Sequence, residues 1–286
     1  MKNTISTIYG AFVQACQFFK QPFELVPFTT QNEKYGIMPK VAPAATEMPS
    51  VQYAAIGNWG HRNLTTAEGR PYTGSNQHLP SDAGLYGQIP WVVRKLDNDL
   101  STNDRKRYRM RKVQSIGGVK YAIYYLRVLD TSLAKPAMTI NTKVNGVVSS
   151  RPFVPDSSNL SPTPPVLQDG EVLTASGEYL AIKSVVDIII TATEIEDIIE
   201  ACRILYDNEG LAVISEIALV TGVDRQNSGE GMGNNTIQYT EAIAAQIAAI
   251  LNTYYSLPAA NSQIRETMTL GTSDPMLLNT GLTKQA

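Results

Sequence analysis

The stretch YRMRKVQSIGGVKYAIYYLRVL, residues 108–129, decides the class of fold. Two runs, Tyr108 to Ser115 and Val119 to Leu129, flank Ile116-Gly117-Gly118, and the second is rich in β-branched and aromatic residues. Such side chains suit the pleated, half-buried surface of a sheet. The glycine pair supplies the positive φ angles that a tight turn needs. An antiparallel hairpin is therefore expected. A second follows, with Thr139 to Val144 and Val147 to Phe153 joined by Asn145-Gly146, a strong type I′ turn signal.

Around these hairpins, residues 51–151 read as a β-rich domain. Ile89 to Leu96 is a further strand, and Gly57 to Gly87, rich in Gly, Asn, Ser and Thr, reads as loop. Ser101-Thr-Asn-Asp104 has the form of a capping box and predicts a turn or two of helix. Upstream, residues 1–50 read as an extended N-terminal arm. Tyr9 to Phe19 could form a short helix, but Pro22, Pro27, Pro39, Pro43 and Pro49 then interrupt helix and sheet alike. The arm nevertheless carries Phe18, Phe19, Phe23, Leu25 and Phe28, and disordered tails are poor in aromatics. It is expected to lie on a surface, and those five residues are candidate subunit contacts.

Residues 152–170 hold Pro152, Pro155, Pro162, Pro164 and Pro165 and read as a stiff linker or long loop. Residues 171–286 read as an α+β region with a polar C-terminal tail. Tyr179 to Thr191 is strand. A helix capped by Thr193, with Glu196 closing the box, carries Ile195, Ile198, Ile199, Cys202 and Leu205 at helical spacing and stops at Gly210. That face is expected to pack against a strand at Leu211 to Val220. Gly222 to Asn235 reads as a Gly-rich loop. Glu241 to Tyr255 reads as a second helix, with Ile243, Ile247, Ile250, Leu251 and Tyr254 on one face and small alanines opposite. Ile264 to Leu270 is a last strand. The fold class is thus α+β and β-rich: an antiparallel β-sandwich-like body with two or three helices and extended arms.

Hydrophobic residues make up 43% of the 286 and charged residues 17%, at a net charge of −2. Charged content in soluble domains is about 25%, so part of this surface is uncharged and less costly to bury against neighbours. The charge balance gives no drive toward nucleic acid or anionic membrane. Cys16 and Cys202 form no disulfide framework, no apolar run is long enough to span a bilayer, and the start lacks the apolar core of a signal peptide.

Catalytic signatures are missing. The two histidines, His61 and His78, lie in loops, and a metal site would need carboxylates such as Glu68 or Asp82 to converge on them. Gly229-Glu-Gly231-Met-Gly233 has the wrong spacing for a dinucleotide loop, there is no GxSxG, and Cys202 reads as core. No catalytic residue, cofactor or metal is expected, and the chain reads as a non-enzyme. The one sharp charge feature is the row Arg107, Arg109 and Arg111, which as a strand would share a face. It could be structural, meet a neighbouring subunit, or hold phosphates; carboxylate partners are expected.

Two segments carry a resemblance. Ile214-Ser-Glu-Ile-Ala-Leu219 resembles a strand recurrent in phage tail and fibre proteins, with Ala218 where glycine is usual. The run from Gly60-His61-Arg62 through Asp97-Asn-Asp-Leu100 and Arg107-Tyr-Arg-Met-Arg111 to Tyr124-Tyr-Leu-Arg-Val-Leu-Asp130 resembles virion structural proteins of large contractile-tailed bacteriophages. This resemblance implies a structural subunit of the neck, tail or baseplate. It would fold in the host cytoplasm and join the virion, partnered by copies of itself and other virion proteins. No membrane, nucleic acid or small-molecule substrate is expected. The alternatives are a carbohydrate-binding or depolymerising virion protein, using Trp59, Tyr72, Tyr86 and Trp91, and a soluble enzyme of another kind.

Overall fold

A computed structural model describes residues 4–145, 147–163, 174–260 and 262–278. In chain order its elements are β1 (Thr4–Ser6), α1 (Ile8–Phe19), α2 (Gln31–Tyr35), β2 (Ser50–Gly57), β3 (His61–Thr65), β4 (Pro71–Ser75), β5 (Gln88–Ile89), β6 (Val92–Lys95), α3 (Thr102–Arg105), β7 (Tyr108–Ile116) and β8 (Val119–Val128). There follow β9 (Ala137–Val144), β10 (Val147–Pro152), β11 (Thr174–Ile190), α4 (Ala192–Tyr206), β12 (Val213–Glu230), β13 (Thr236–Ser256) and β14 (Ile264–Leu278). The fold is α+β and β-rich with antiparallel sheets, as the hairpin signals indicate. It has four helices among the described residues, against two or three expected.

The chain divides into two compact units, residues 1–131 with 187–268 and residues 132–186 with 269–286. The boundaries read near residues 50, 151 and 170 are not where these units part. The first unit is built on an eight-stranded sheet in the order β1-β13-β12-β2-β8-β6, with β5 pairing β2 and β7 pairing β8. The second holds a four-stranded sheet, β10-β9-β11-β14. Residues 164–173 of the proline-rich segment lie outside the described residues.

Both early hairpins form where their turns place them. Ile116 pairs with Val119 across Gly117-Gly118, and Val144 pairs with Val147 across Asn145 and Gly146. The largest departure is β13, which sequence periodicity reads as a helix over 241–255. Its apolar residues recur at helical spacing because both faces of this strand are buried from Ala242 to Leu251, so no alternation is left to read. Pairing with β12 over almost its whole length, and with β1 on its other edge, overrides the helix propensity of its alanines. One set of its side chains, including Ala245 and Ile247, joins a core with Tyr53, Met110, Leu126 and Val220. Ala244 instead meets Val13, Cys16 and Phe23. Burying each large apolar side chain contributes roughly 1.5–3 kcal/mol.

The supposed loop at 222–235 is the far end of the same hairpin. There β12 and β13 run on as a polar ribbon, with Gln226 Nε2 donating to Thr240 Oγ1 at 3.1 Å and Asn227 Nδ2 to the Tyr239 hydroxyl at 3.1 Å. The Gly229–Gly233 segment is its tip. The supposed loop at 57–87 contains the β3–β4 hairpin, which shows no alternation because neither face is well buried.

Residues 4–50 are not an extended arm. Thr7 caps α1 and ties it to the sheet: its backbone N–H donates to the Ala248 carbonyl at 3.0 Å and its hydroxyl to the Ile247 carbonyl at 2.5 Å. The small alanines of β13 admit α1 closely, and a Cβ on Gly10 would sit 2.8 Å from the Ala248 carbonyl oxygen. The helix α2, capped by the Thr30–Glu33 box, drives Asn32 into the core.

The amphipathic helix is real, with a shifted start. Thr191 rather than Thr193 caps α4, and Glu194 rather than Glu196 closes the box, because β11 ends at Ile190. It stops at Asp207, in the left-handed region, before reaching Gly210. Its Ala201, with the half-buried Ile204 and Leu205, packs on Val93 of β6 and Ile123 of β8. Ile195, Ile198 and Cys202 are buried as expected.

Candidate functional site

The arginine row is spent inside the fold. Arg107 reaches Glu194 at 2.7 Å, Arg109 makes two 2.7 Å bonds to the Asp224 carboxylate, and Arg111 holds Asp99 at 2.9 Å. Carboxylate partners were the sequence expectation, and all three lie within the chain. Arg109 and Arg111 are buried, while Arg107 remains half exposed. A second guanidinium, Arg127, also pairs with Glu194 and lies 4.7 Å over the Trp91 ring.

The five apolar residues singled out in the first fifty divide into two sets. Phe23 is buried and Leu25 packs half-buried beside it. Phe18 and Phe19, at the end of α1, are 82% and 67% exposed, and Phe28 is 91% exposed. Phe28 also has a φ of 63°, its N–H donating to Glu33. Of the five apolar residues named from sequence, three therefore face outward.

The most unusual polar assembly involves residues that sequence reasoning did not join. Glu216 sits in β12 within the Ile214–Leu219 motif, fully buried. Its Oε1 lies 2.6 Å from His78 Nε2 and accepts from the Tyr86 N–H at 2.9 Å. Its Oε2 accepts from the N–H groups of Trp59 and Gly87, each at 3.3 Å. Gly57 and Gly60 make room, since a Cβ on either would lie under 2.5 Å from the Glu216 side chain. On its other side His78 Nδ1 is 2.8 Å from Asp82 Oδ2, and the ring stacks on Tyr86 at 4.1 Å. Desolvation pulls the His78 pKa down, but the two carboxylates bonded to it outweigh that, so it is raised and the charged imidazolium is favoured.

Asp82 thus does converge on His78, although His61 does not join them. His61 lies instead edge-on to Tyr254, 4.7 Å between ring centroids. Among the described residues no group of three His, Cys, Asp or Glu side chains is arranged to hold a metal. The signal that could have marked Glu216 is a carboxylate inside an otherwise apolar strand, which must find partners.

Outside this triad the surface is hollowed. One open cavity of about 770 Å³ is lined by Trp59, Arg62, Ser75, Asn76, Gln77 and Tyr86. A neighbouring one of about 390 Å³ shares Trp59 and Arg62 with it and adds Asn58, His61 and Tyr254 among others. Trp91, grouped from sequence with the exposed aromatics, is wholly buried, its indole N–H donating to the Ala54 carbonyl at 3.0 Å. Cys16 and Cys202 are free and buried, and burial pushes the Cys202 thiol up to about 12. No helix among the described residues is long and apolar enough to cross a membrane.

The chain belongs to a family of unknown function (DUF7208), whose model matches residues 1–285. No curated protein and no solved structure matches it.

Proposed function

We propose that this member of the family is a structural assembly subunit, of the kind that builds the neck, tail or baseplate of a contractile-tailed bacteriophage. The observation that carries the reading is the exposure of Phe18, Phe19 and Phe28 on a unit that has an ample core of its own. Phe18 and Phe19 lie edge to face with ring centroids 5.1 Å apart, and contiguous exposed apolar groups mark association sites. Several features support the same reading. The buried charged groups Arg109, Arg111, Glu194 and Glu216 are engaged by partners within the chain. The edge strand β10 exposes Val147 and Val148, and an edge strand is a template for a further strand. The virion assignment itself rests on the short motifs at 60–130 and 214–219.

Hydrogen exchange on the full chain at increasing concentration tests association. Amides of residues 17–29 should gain protection as concentration rises. Exchange in that segment that is independent of concentration would remove the support.

A further inference from the structure

We propose that the face bearing Trp59 and Tyr86 binds an acidic oligosaccharide, with sugar rings stacked on the two aromatic side chains and a sugar carboxylate drawn to Arg62. This goes beyond the assembly role, and neither reading depends on the other.

Trp59 is 64% exposed and Tyr86 46%, and the backbone of both is anchored. The backbone N–H of each donates to the buried Glu216. The Tyr86 ring lies flat on the His78 imidazole, 11° from parallel, and its hydroxyl donates to the Gln77 carbonyl at 2.7 Å. The carboxylate–imidazole–carboxylate chain thereby holds the Tyr86 ring and the backbone at Trp59, and a surface held in its binding geometry loses less entropy when it binds. The negative face of an aromatic ring attracts the C–H edges of a sugar ring.

Trp59 and Arg62 form the shared wall of the two adjoining cavities. Both volumes, about 770 and 390 Å³, fall in the roughly 300–1,000 Å³ range of ligand sites. The rest of the lining is mainly amide, hydroxyl and imidazole, suited to sugar hydroxyl groups. Among the described residues no carboxylate lines either cavity. That leaves Arg62 unopposed as an anchor for an acidic sugar, and it provides no pair of acids for glycoside hydrolysis. Nucleic acid fits less well, because a single guanidinium does not make the basic track that follows a phosphate backbone.

Calorimetric titration of the full chain with hexagalacturonate, cellohexaose and an eight-residue oligothymidylate tests the proposal. Saturable binding of hexagalacturonate is expected. Trp59→Ala, a surface change, should weaken it at least about tenfold, and Arg62→Ala should do the same. Circular dichroism and the melting temperature of both variants should match wild type. Absence of hexagalacturonate binding, or binding unchanged in Trp59→Ala, would overturn the proposal. Equal affinity for cellohexaose, insensitive to Arg62, would overturn the acidic class, and tighter binding of the oligothymidylate would replace saccharide by single-stranded nucleic acid.

Discussion

His78 Nε2 lies 2.6 Å from Glu216 Oε1, with both side chains sealed from water. With Asp82 on the other nitrogen, the imidazole is bonded by carboxylates at both ends. Its pKa is raised in the folded chain, so its contribution to stability is fully present below the unfolded value of 6.5 and is lost as pH rises through the higher folded value. Thermal melting followed from pH 6 to 9 should show this alkaline loss. In His78→Asn the loss should vanish, on a background lowered by about 3–5 kcal/mol from leaving Glu216 buried and unpaired. A wild-type profile identical in shape to that of the variant would show that the imidazole is not charged.

Glu241 is a further buried group whose titration should be visible. It accepts the N–H groups of Met110, Arg111 and Ala242, at 2.8 Å for the latter two, and so closes the irregularity where Met110 has a φ of 57°. Burial pushes its pKa up from 4.5 to about 7 despite those bonds. Between those values the folded chain holds a proton that the unfolded chain has lost, so stability falls as pH rises from 4.5 to about 7 and the loss is complete above that. Subtracting the urea-unfolding profile of Glu241→Gln from that of wild type should leave this slope. A flat difference would contradict the raised value.

Asn32 holds a bulge in β13. Its Nδ2 donates to the Ala242 carbonyl at 2.8 Å and the Ile37 carbonyl at 2.9 Å, and its Oδ1 accepts the Ala245 N–H at 2.9 Å, bracketing Ala244 at a φ of 51°. Removing one side chain strands three buried backbone groups, each costing about 1–3 kcal/mol. Asn32→Ala should therefore lose at least roughly 3 kcal/mol in urea unfolding. A loss under about 1 kcal/mol, no more than a typical single hydrogen bond, would mean the bulge holds without it.

Arg111 and Asp99 are a buried pair at 2.9 Å, with the Tyr124 hydroxyl donating to Asp99 at 2.8 Å. Arg111→Met should cost toward the lower end of about 3–5 kcal/mol, because Asp99 loses its nearer cation but keeps Arg105 at 3.6 Å. Because the guanidiniums at 109 and 111 are engaged, fluorescence anisotropy with duplex DNA at low salt should give no saturable binding. An affinity that falls steeply with salt would reveal phosphate contacts.

Much of the sheet is legible before any coordinates, for local reasons. Gly117-Gly118 and Asn145-Gly146 commit their flanks to hairpins, and Ile195, Ile198 and Cys202 mark the buried stripe of a helix. Legibility fails where tertiary burial decides. Ile243, Ile247 and Ile250 are spaced as on a helix, but Ala244 at positive φ shifts the strand register between them, and helices cover the face that a simple strand would expose to water. The site fails for a related reason. His78, Glu216 and Trp59 lie far apart in sequence and are joined only by the pairing of β2 with β12 and the fold of the segment between. The arginine row, by contrast, announced its need for carboxylates, and only their identities waited on the fold.

If the chain associates through the aromatic side chains it leaves outside, sedimentation velocity across a hundredfold range of concentration, beside the triple variant F18S/F19S/F28S, will separate the two proteins. Wild type should form larger species as concentration rises, while the variant stays monomeric with unchanged circular dichroism and melting temperature. A wild-type chain that sediments as a monomer throughout, indistinguishable from the variant, would contradict that association.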